Sequence, residues 1–317
     1  MTDSQPKQSS PIEEEIDLLL VLRKLWAGKW LIGGLGFGAA LIGVVWALML
    51  PNVYRAEALL APNEKDTGGG LSALASQYGN LASLAGINLG GESGDKTALG
   101  LEILQSRKFV TAFIERRGLL IPLMAARGWD TASGELEIDP DIYDAGAEKW
   151  VRSGFRTRRA EPSMQEAYSE FRNLLAVSRD TNTGFVKVSI EFYSPETARQ
   201  WVDWLVADLN EYVMQQDVTE AQNSIEYLNQ QIANTSLAEL QTVFFRLIEE
   251  QTKTVMLAKV SDEYLLKTLD PAVAPELKSG PTRSLFVLLA GFLGGLLGAL
   301  IQLFRAGSIA KPRAAAV

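Results

Sequence analysis

The chain has 317 residues, with 38 acidic and 30 basic side chains, a net charge of −8, and neither histidine nor cysteine. Without these two residue types there can be no Ser-His-Asp triad, no Cys-His pair, no disulfide framework and no zinc site of the usual ligands. The negative net charge argues against a nucleic acid partner. The composition therefore excludes most catalytic arrangements and leaves only carboxylate, lysine, serine or tyrosine chemistry, and we expect no cofactor and no metal.

Two uncharged apolar stretches of 21 residues, 30–50 and 284–304, lie near the ends of the chain and enclose a charged region at 51–283. A helix of that length spans about 31 Å, the thickness of a bilayer's hydrocarbon core. A cleaved signal peptide is the weaker alternative, because 29 residues, several of them acidic, precede the first stretch. Soluble folds seldom hold such long uncharged helices, so we predict two transmembrane helices at 30–50 and 284–304.

Basic residues flank the outer ends of both stretches. They are Arg23, Lys24 and Lys29 before the first, and Arg305, Lys311 and Arg313 after the second. A loop as long as 51–283 is translocated largely regardless of its own charge. The positive-inside rule then predicts that the segments 1–29 and 305–317 are cytoplasmic and that 51–283 is extracytoplasmic, which in a bacterium means the periplasm or the cell exterior.

The first part of the chain predicts three short elements. An apolar stripe ahead of the first stretch indicates an interfacial helix, or equally a simple extension of the span. Residues 53–61 are rich in Val, Tyr and Leu with interspersed charges and end at Pro62, which predicts a strand. The uncharged tract 67–91 has leucines at helical spacing and predicts a short amphipathic helix that packs on a neighbouring subunit or near the membrane.

Residues 96–117 predict two helices, with Ser106 as the break and the N-cap of the second, and helix and loop then alternate to about Leu175. Two charged clusters lie in this region. The acidic cluster, which contains an Asp-x-Asp triple, is Glu135, Glu137, Asp139, Asp141 and Asp144, and the basic cluster is Arg152, Arg156, Arg158 and Arg159. The first is better interpreted as a solvated loop than as a metal site. The second is better interpreted as a solvated basic face, with contact to an anionic glycan or a partner as the alternative.

The clearest local patterns follow. Residues 186–192 alternate between apolar and polar, which predicts a half-buried strand. Ser194, Pro195 and Glu196 then provide an N-cap, a first-turn proline and a favourable acid for a long helical region at about 195–260. A break is expected at 234–236, where Ser236 and Glu239 form a capping box. The pattern does not distinguish a kinked rod from two antiparallel helices.

Proline and glycine dominate the return to the second apolar stretch. Pro271, Pro275 and Pro281 forbid a regular helix in the segment 270–283 and favour an extended connector. Inside the second stretch, Gly291, Gly294, Gly295 and Gly298 form overlapping Gly-x-x-x-Gly pairs, and Gly34 with Gly38 forms another in the first. Such spacing lets helix backbones approach closely, within one chain or between subunits.

Three segments together resemble the Wzz family of polysaccharide co-polymerases, also called O-antigen or lipopolysaccharide chain length determinants. They are residues 16–30, the strand that begins Tyr54-Arg55-Ala56-Glu57, and the run 270–283 into the glycine-rich stretch. By this resemblance Pro271, Pro275, Pro281, Gly291, Gly294, Gly295 and Gly298 correspond to the family's Pro/Gly-rich signature, although the longer proline repeat of some members is only partly present. The resemblance implies an α+β membrane protein, with two transmembrane helices flanking a periplasmic α/β base that carries a long protruding helix.

The resemblance also implies a function. Such proteins assemble into homo-oligomeric rings and set the modal length of a lipid-linked polysaccharide made by a Wzy-type polymerase, without catalytic residues of their own. The enzyme alternative is the membrane-anchoring activator half of a split capsule or exopolysaccharide tyrosine kinase system. This chain has no Gly-x-x-x-x-Gly-Lys-Ser/Thr loop, so it would supply only the membrane half. A two-span sensor or scaffold is the third alternative, and it would be expected to carry a signalling module after the second span.

Overall fold

The structure is a computed structural model that describes residues 26–63, 96–152, 160–235 and 237–308. The chain forms two compact units, one made of Pro51–Gly280 and the other of the segments on either side of it. Several predictions lie outside the described residues. They are the interfacial helix before the first apolar stretch, the amphipathic helix within 67–91, and Ser236 with its capping box.

Helices and strands alternate along the described chain. The helices are α1 (Lys29–Met49), α2 (Lys96–Gln105), α3 (Arg107–Arg117), α4 (Leu120–Ala125), α5 (Met164–Leu174), α6 (Pro195–Asn234), α7 (Ala238–Val260) and α8 (Arg283–Ser308). The strands are β1 (Tyr54–Pro62), β2 (Ala126–Trp129), β3 (Leu136–Ile138), β4 (Tyr143–Asp144), β5 (Lys149–Trp150), β6 (Leu175–Arg179), β7 (Val186–Phe192) and β8 (Leu266–Asp270). This mixed composition, with an apolar helix near each end and one helix of 40 residues, confirms the α+β fold class.

The main sheet is antiparallel throughout, with the strand order β6-β7-β1-β8. Its register places small residues opposite large ones: Ala56 pairs with Ile190 and Ala58 with Val188, and all four side chains are buried. The opposite face is charged and exposed, and Lys187 Nζ lies 3.1 Å from a carboxylate oxygen of Glu57. One face therefore packs on the core, which is the half-buried pattern that the alternation at 186–192 predicts.

The first half of α6 covers the buried face of the sheet. Trp201 and Phe192 stack with their ring centroids 4.4 Å apart, and Val202 and Leu205 are fully buried beside them. Ser194 begins the helix as predicted, because its side chain accepts a hydrogen bond from the N–H of Thr197. Burial of these large side chains provides most of the favourable free energy that holds the helix on the sheet.

The second half of α6 leaves this core and pairs with α7. Between residues 214 and 234 only Ala221 is buried among the α6 side chains. Helix α7 begins only a few residues after α6 ends. Leu228 on α6 and Leu247 on α7 line the same cleft between the two helices. The long helical region is therefore an antiparallel hairpin, the alternative that the sequence left open against a kinked rod.

Asn210 joins this hairpin to the sheet. Its side-chain oxygen accepts hydrogen bonds from the backbone N–H groups of Leu265 and Leu266, at 2.8 and 2.9 Å, and its amide donates to the carbonyl oxygen of Leu266 at 3.0 Å. The side chain is only 3% exposed. The start of β8 is thus hydrogen-bonded to an asparagine in the middle of α6, because buried backbone groups need partners.

Several strands were not anticipated. The sequence predicts only helix and loop between residue 117 and Leu175 and no strand after 192, whereas the structure has β2 with β3, β4 with β5, and also β6 and β8. Strands of two to five residues are too short for a period-two pattern to stand out. In contrast, Ser106 caps α3 as predicted and accepts a hydrogen bond from the N–H of Phe109.

Two of the hairpins share one type of turn. Asp130 in the β2–β3 turn and Asp180 in the β6–β7 turn each accept a hydrogen bond from the backbone N–H two residues on. In both turns the fifth residue, Gly134 or Gly184, has a φ of 74°, which favours glycine. Hydrogen bonds from backbone N–H groups stabilise the ionised carboxylates, so the pKa of each aspartate lies below its ordinary value.

Candidate functional site

The segment between β8 and α8 contains the three signature prolines and is attached to the α/β unit at two points. Near its start, Ala272 is buried, and its backbone N–H donates a hydrogen bond to the carboxylate of Asp203 on α6. Near its end, Gly280 forms an isolated antiparallel bridge with Val53, with N···O distances of 3.1 and 3.3 Å. The segment is therefore held at both ends without belonging to a helix or a strand.

Glycine and proline suit this path for physical reasons. A Cβ added to Gly280 would lie 3.1 Å from Cγ2 of Val53, so a larger residue would press on the bridge. Pro271 is exposed, whereas Pro275 and Pro281 are half-buried. Because proline fixes φ and has no N–H to satisfy, it stiffens an irregular segment at no hydrogen-bonding cost. The predicted extended connector agrees with this arrangement.

Asp203 has an altered pKa where it meets the segment. Burial raises the pKa of this carboxyl above its ordinary value, while the Arg199 guanidinium and the N–H of Ala272 act in the opposite direction. Arg199 Nη1 lies 3.2 Å from the Asp203 carboxylate one helical turn away. The carboxylate of Asp203 therefore loses part of its contact with water and interacts with two protein groups, the Arg199 guanidinium and the backbone of the proline-rich segment.

Gly291, Gly294 and Gly298 of α8 face α1, which runs antiparallel to it, whereas a Cβ on Gly295 would meet no described atom within 4 Å. A Cβ on Gly294 would lie 2.7 Å from the carbonyl oxygen of Leu35, and one on Gly298 would lie 2.9 Å from Cα of Ile32. Gly291 also faces α1, at ordinary van der Waals distance. A larger residue at 294 or 298 would meet backbone atoms, so the two helices approach this closely only because these positions are glycine.

The partner residues on α1 differ from the predicted pair. Gly36 and Gly43 face α8, and a Cβ on Gly36 would lie 3.6 Å from Cα of Gly295. A Cβ on Gly34 or Gly38 would meet no described atom within 4 Å, so this pair takes no part in packing α1 on α8. The seven-residue spacing of Gly36 and Gly43, two turns on one helix face, is the signal that the Gly-x-x-x-Gly search missed. Packing of Gly34 and Gly38 between subunits stays a prediction.

Arg283 lies where α8 begins, and its guanidinium donates a hydrogen bond to the carbonyl oxygen of Leu50 at 3.3 Å. Leu50 is the C-cap of α1, whose last carbonyl groups have no intrahelical partner. A cation at a helix C-terminus is favourable because the carbonyl ends carry partial negative charge. The basic residue that closes the proline-rich segment therefore also stabilises the end of the neighbouring apolar helix.

The two charged clusters predicted from the sequence have separate environments. Arg152 donates to the Glu166 carboxylate at 2.6 Å and to the carbonyl oxygen of Ala160 at 2.7 Å, so within the described residues it has protein partners. Arg156, Arg158 and Arg159 lie outside the described residues.

The acidic cluster is spread over the small hairpins, with Glu137 on β3 and Asp144 at the end of β4. The side chain of Asp139 accepts a hydrogen bond from the N–H of Asp141 at 2.9 Å, and Asp144 does the same for Gly146. Across the parts of the chain that the structure describes, no three acidic side chains converge as metal ligands. The carboxylates of Asp139 and Asp144 are used in turn formation.

Comparison with known proteins adds three findings. Residues 14–116 match the family model of the Wzz chain length determinant protein. Two putative tyrosine-protein kinases EpsB, from Ralstonia nicotianae and Ralstonia solanacearum, are 27% and 26% identical to the chain over 154 and 153 residues. Each alignment covers 46% of this chain but only 19% of the length of the curated relative.

A solved structure of a full-length bacterial polysaccharide co-polymerase is 15% identical to the chain, with a TM-score of 0.37, and the superposition covers 95% of this chain and 100% of that one. The family match begins ahead of α1 and ends in α3, so it includes the first apolar helix and β1. Two of the three segments on which the resemblance rests lie inside it. Over residues 14–116 the chain is therefore similar to the Wzz chain length determinant family, in agreement with the resemblance recognised in its sequence.

Proposed function

We propose that this chain is a non-enzymatic regulator of polysaccharide chain length, which acts with a Wzy-type polymerase on a lipid-linked polysaccharide such as O-antigen. The observation that carries the proposal is the match of residues 14–116 to the Wzz chain length determinant model. The proline-rich return segment, attached to the α/β unit at both ends, and the glycine contacts of α8 supply the structural context expected of that family.

The proposed location is the bacterial inner membrane, with residues 51–283 in the periplasm and both flanking segments in the cytoplasm. Helices Lys29–Met49 and Arg283–Arg305 are long and apolar enough to cross a bilayer. Their antiparallel packing supports a hairpin whose outer ends lie on one side. Since the chain has no cysteine, a single Thr181→Cys variant provides a clean test. An impermeant thiol reagent should label it in intact spheroplasts, and labelling only after lysis would refute the orientation.

The proposed assembly is a homo-oligomeric ring. Helix α7 supports it, because large apolar side chains on that helix face solvent in the single chain: Phe245 is 58%, Met256 63% and Val260 86% exposed. Apolar surface of this extent on one helix is typical of a protein interface. Mass measurement of the full chain in detergent tests the assembly, and a monomer under all conditions would contradict it.

Deletion of the gene tests the function itself. Cells without it should lose the modal cluster of surface polysaccharide on a gel and produce a broad distribution of shorter chains, and a plasmid copy should restore the cluster. An unchanged profile would refute chain-length regulation.

The proline-rich segment provides a finer test. Pro275→Ala together with Pro281→Ala should shift the modal length while the protein still inserts and oligomerises, because the change alters the stiffness of the segment and removes no hydrogen bond. Pro140→Ala, in an exposed loop of the same unit, is the matched control and should leave the profile unchanged. A double variant with the wild-type length distribution would remove the segment from the mechanism.

The second candidate is the membrane-anchoring activator half of a split tyrosine kinase system. The similarity to the two EpsB proteins favours it. Under this alternative, deletion of the gene abolishes both polysaccharide export and tyrosine phosphorylation of a separately encoded kinase. Immunoblotting of the deletion strain for phosphotyrosine separates the candidates, because a chain length regulator leaves phosphorylation unchanged.

A further inference from the structure

A groove of about 970 Å³ lies along the α6–α7 hairpin, beside the start of α3. One face of α6 forms its floor. The residues of this floor recur at helical spacing and include Tyr212, Gln215, Gln216, Asn223 and Tyr227. Tyr212 and Tyr227 are fifteen residues apart on this face, which is about 22 Å along the helix axis. The groove is thus long and narrow, with one aromatic side chain toward each end.

Apart from Lys108 and Glu220, the polar side chains in the groove are neutral amides and hydroxyls. Gln215, Gln216 and Asn223 come from α6 and Gln251 from α7, and each side-chain amide offers both donors and acceptors. Among the described residues, none of these four amide groups makes a hydrogen bond to the protein, in contrast to the buried and fully engaged Asn210. A ligand rich in hydroxyl groups can satisfy such a row, because every hydroxyl also donates and accepts.

The electrostatic character of the groove is close to neutral. Lys108 and Glu220 are the charged side chains that line it, and their charges cancel. Lys108 is also engaged with Tyr212, since its Nζ lies 5.9 Å from the ring centroid. The edge of Phe109 meets the same ring at 5.7 Å between centroids. The Tyr212 ring is therefore oriented in advance, and an anionic ligand would find no surplus of positive charge.

These features disfavour a protein helix as the occupant. A helix docks in a groove through apolar side chains at spacings of three and four residues, and it needs apolar pockets to receive them. Here the corresponding floor positions are amides, and Leu228 with Leu247 are the aliphatic side chains in the lining. The exposed apolar side chains of α7, Phe245 and Met256, do not line the groove and suit a protein interface better.

We propose that this groove binds a segment of neutral glycan, with the tyrosine rings packing against the carbon-bound hydrogens of the sugars and the amides hydrogen-bonding to their hydroxyl groups. The proposal rests on the function proposed above and identifies a surface on which the chain contacts the polysaccharide whose length it regulates. It differs from the arginine cluster considered in the sequence, which would select an anionic glycan. A flexible polymer held over about 22 Å would also be retained longer than one held at a single point.

The test uses the full chain in lipid nanodiscs. The probe is the surface polysaccharide of the producing cells, freed of lipid, cut to short fragments, separated by size and labelled with a fluorophore for anisotropy. Tyr227→Ala and Asn223→Ala should each weaken binding about tenfold, the factor that corresponds to the loss of one aromatic face or of a bidentate amide. Tyr227→Phe should bind like the wild type, because it keeps the ring.

Gln222→Ala is the matched control, since it lies next to Asn223 but lines a different cleft on α6. The proposal is overturned if the wild type binds no fragment, if the two alanine variants bind like the wild type, or if they change the mass of the assembly while leaving glycan binding intact. The proposed function stands or falls separately. A deletion strain with unchanged chain lengths refutes that function, whereas a deletion strain with altered lengths and no glycan binding by the wild type refutes the groove alone.

Discussion

Replacing Asn210 by alanine should detach the return strand from the long helix. The substitution removes three hydrogen bonds, to the N–H groups of Leu265 and Leu266 and to the carbonyl oxygen of Leu266. At about 1 kcal/mol for each hydrogen bond, the free energy of unfolding should fall by about 3 kcal/mol. Because the site is buried, the backbone groups left behind would also lack water, so the value is a lower bound.

Two assays on the full chain in detergent measure this effect. Denaturant unfolding should report the loss of stability, and hydrogen exchange should show faster exchange of the amides of Leu265 and Leu266 with little change in the first half of α6. Asn229→Ala is the control, because this exposed asparagine on the same helix should change stability by no more than about 0.5 kcal/mol. A loss below about 1 kcal/mol for Asn210→Ala, with both amides still protected, would refute the reasoning.

Two further predictions concern the apolar helix pair and a buried ion pair. Gly294→Leu should reduce stability by about 2 kcal/mol or more, because its side chain meets the backbone of α1. Gly34→Leu, at a position with no described neighbour within 4 Å, should melt like the wild type, and equal melting temperatures for both variants would contradict the glycine contact. Arg117→Ala should cost about 3 kcal/mol in denaturant unfolding, since it removes the bidentate partner of the buried Asp208 carboxylate and leaves only Arg116, whose Nη1 lies 3.7 Å away. Lys187→Ala removes an exposed ion pair and should cost less than about 1 kcal/mol, so similar losses for the two would argue against burial as the cause.

The elements that were predictable are those whose signal lies within a few residues. Ser106 and Ser194 were identified as N-caps because the capping residue and the N–H that it satisfies are three residues apart. The strand at 186–192 was identified because its alternation spans seven residues without interruption. The non-helical path at Pro271–Pro281 was predictable because each proline fixes its own φ and has no N–H for a helical hydrogen bond.

The groove on the hairpin shows what local patterns omit. Its amides on α6, such as Gln216 and Asn223, form no sequence pattern that indicates a cleft. They become one wall of a cleft only because α7 folds back antiparallel and brings Gln251 across from them. The antiparallel pairing of α7 with α6 decides this, and a kinked rod with the same residues would have no groove at all.

The sequence alone determined that sites built on histidine or cysteine are excluded. It also determined the two apolar helices, the family resemblance and the elements with strong local periodicity, since each of these depends on residue identity and short spacing. The tertiary structure decided which faces meet. Asn210 is a structural residue because β8 crosses α6 at that point, and Gly36 contacts α8 where Gly34 does not because the helices present those faces to each other. The physical reason is that contacts between residues distant in sequence depend on the summed burial and hydrogen bonding of the whole fold, which no short window of residues contains.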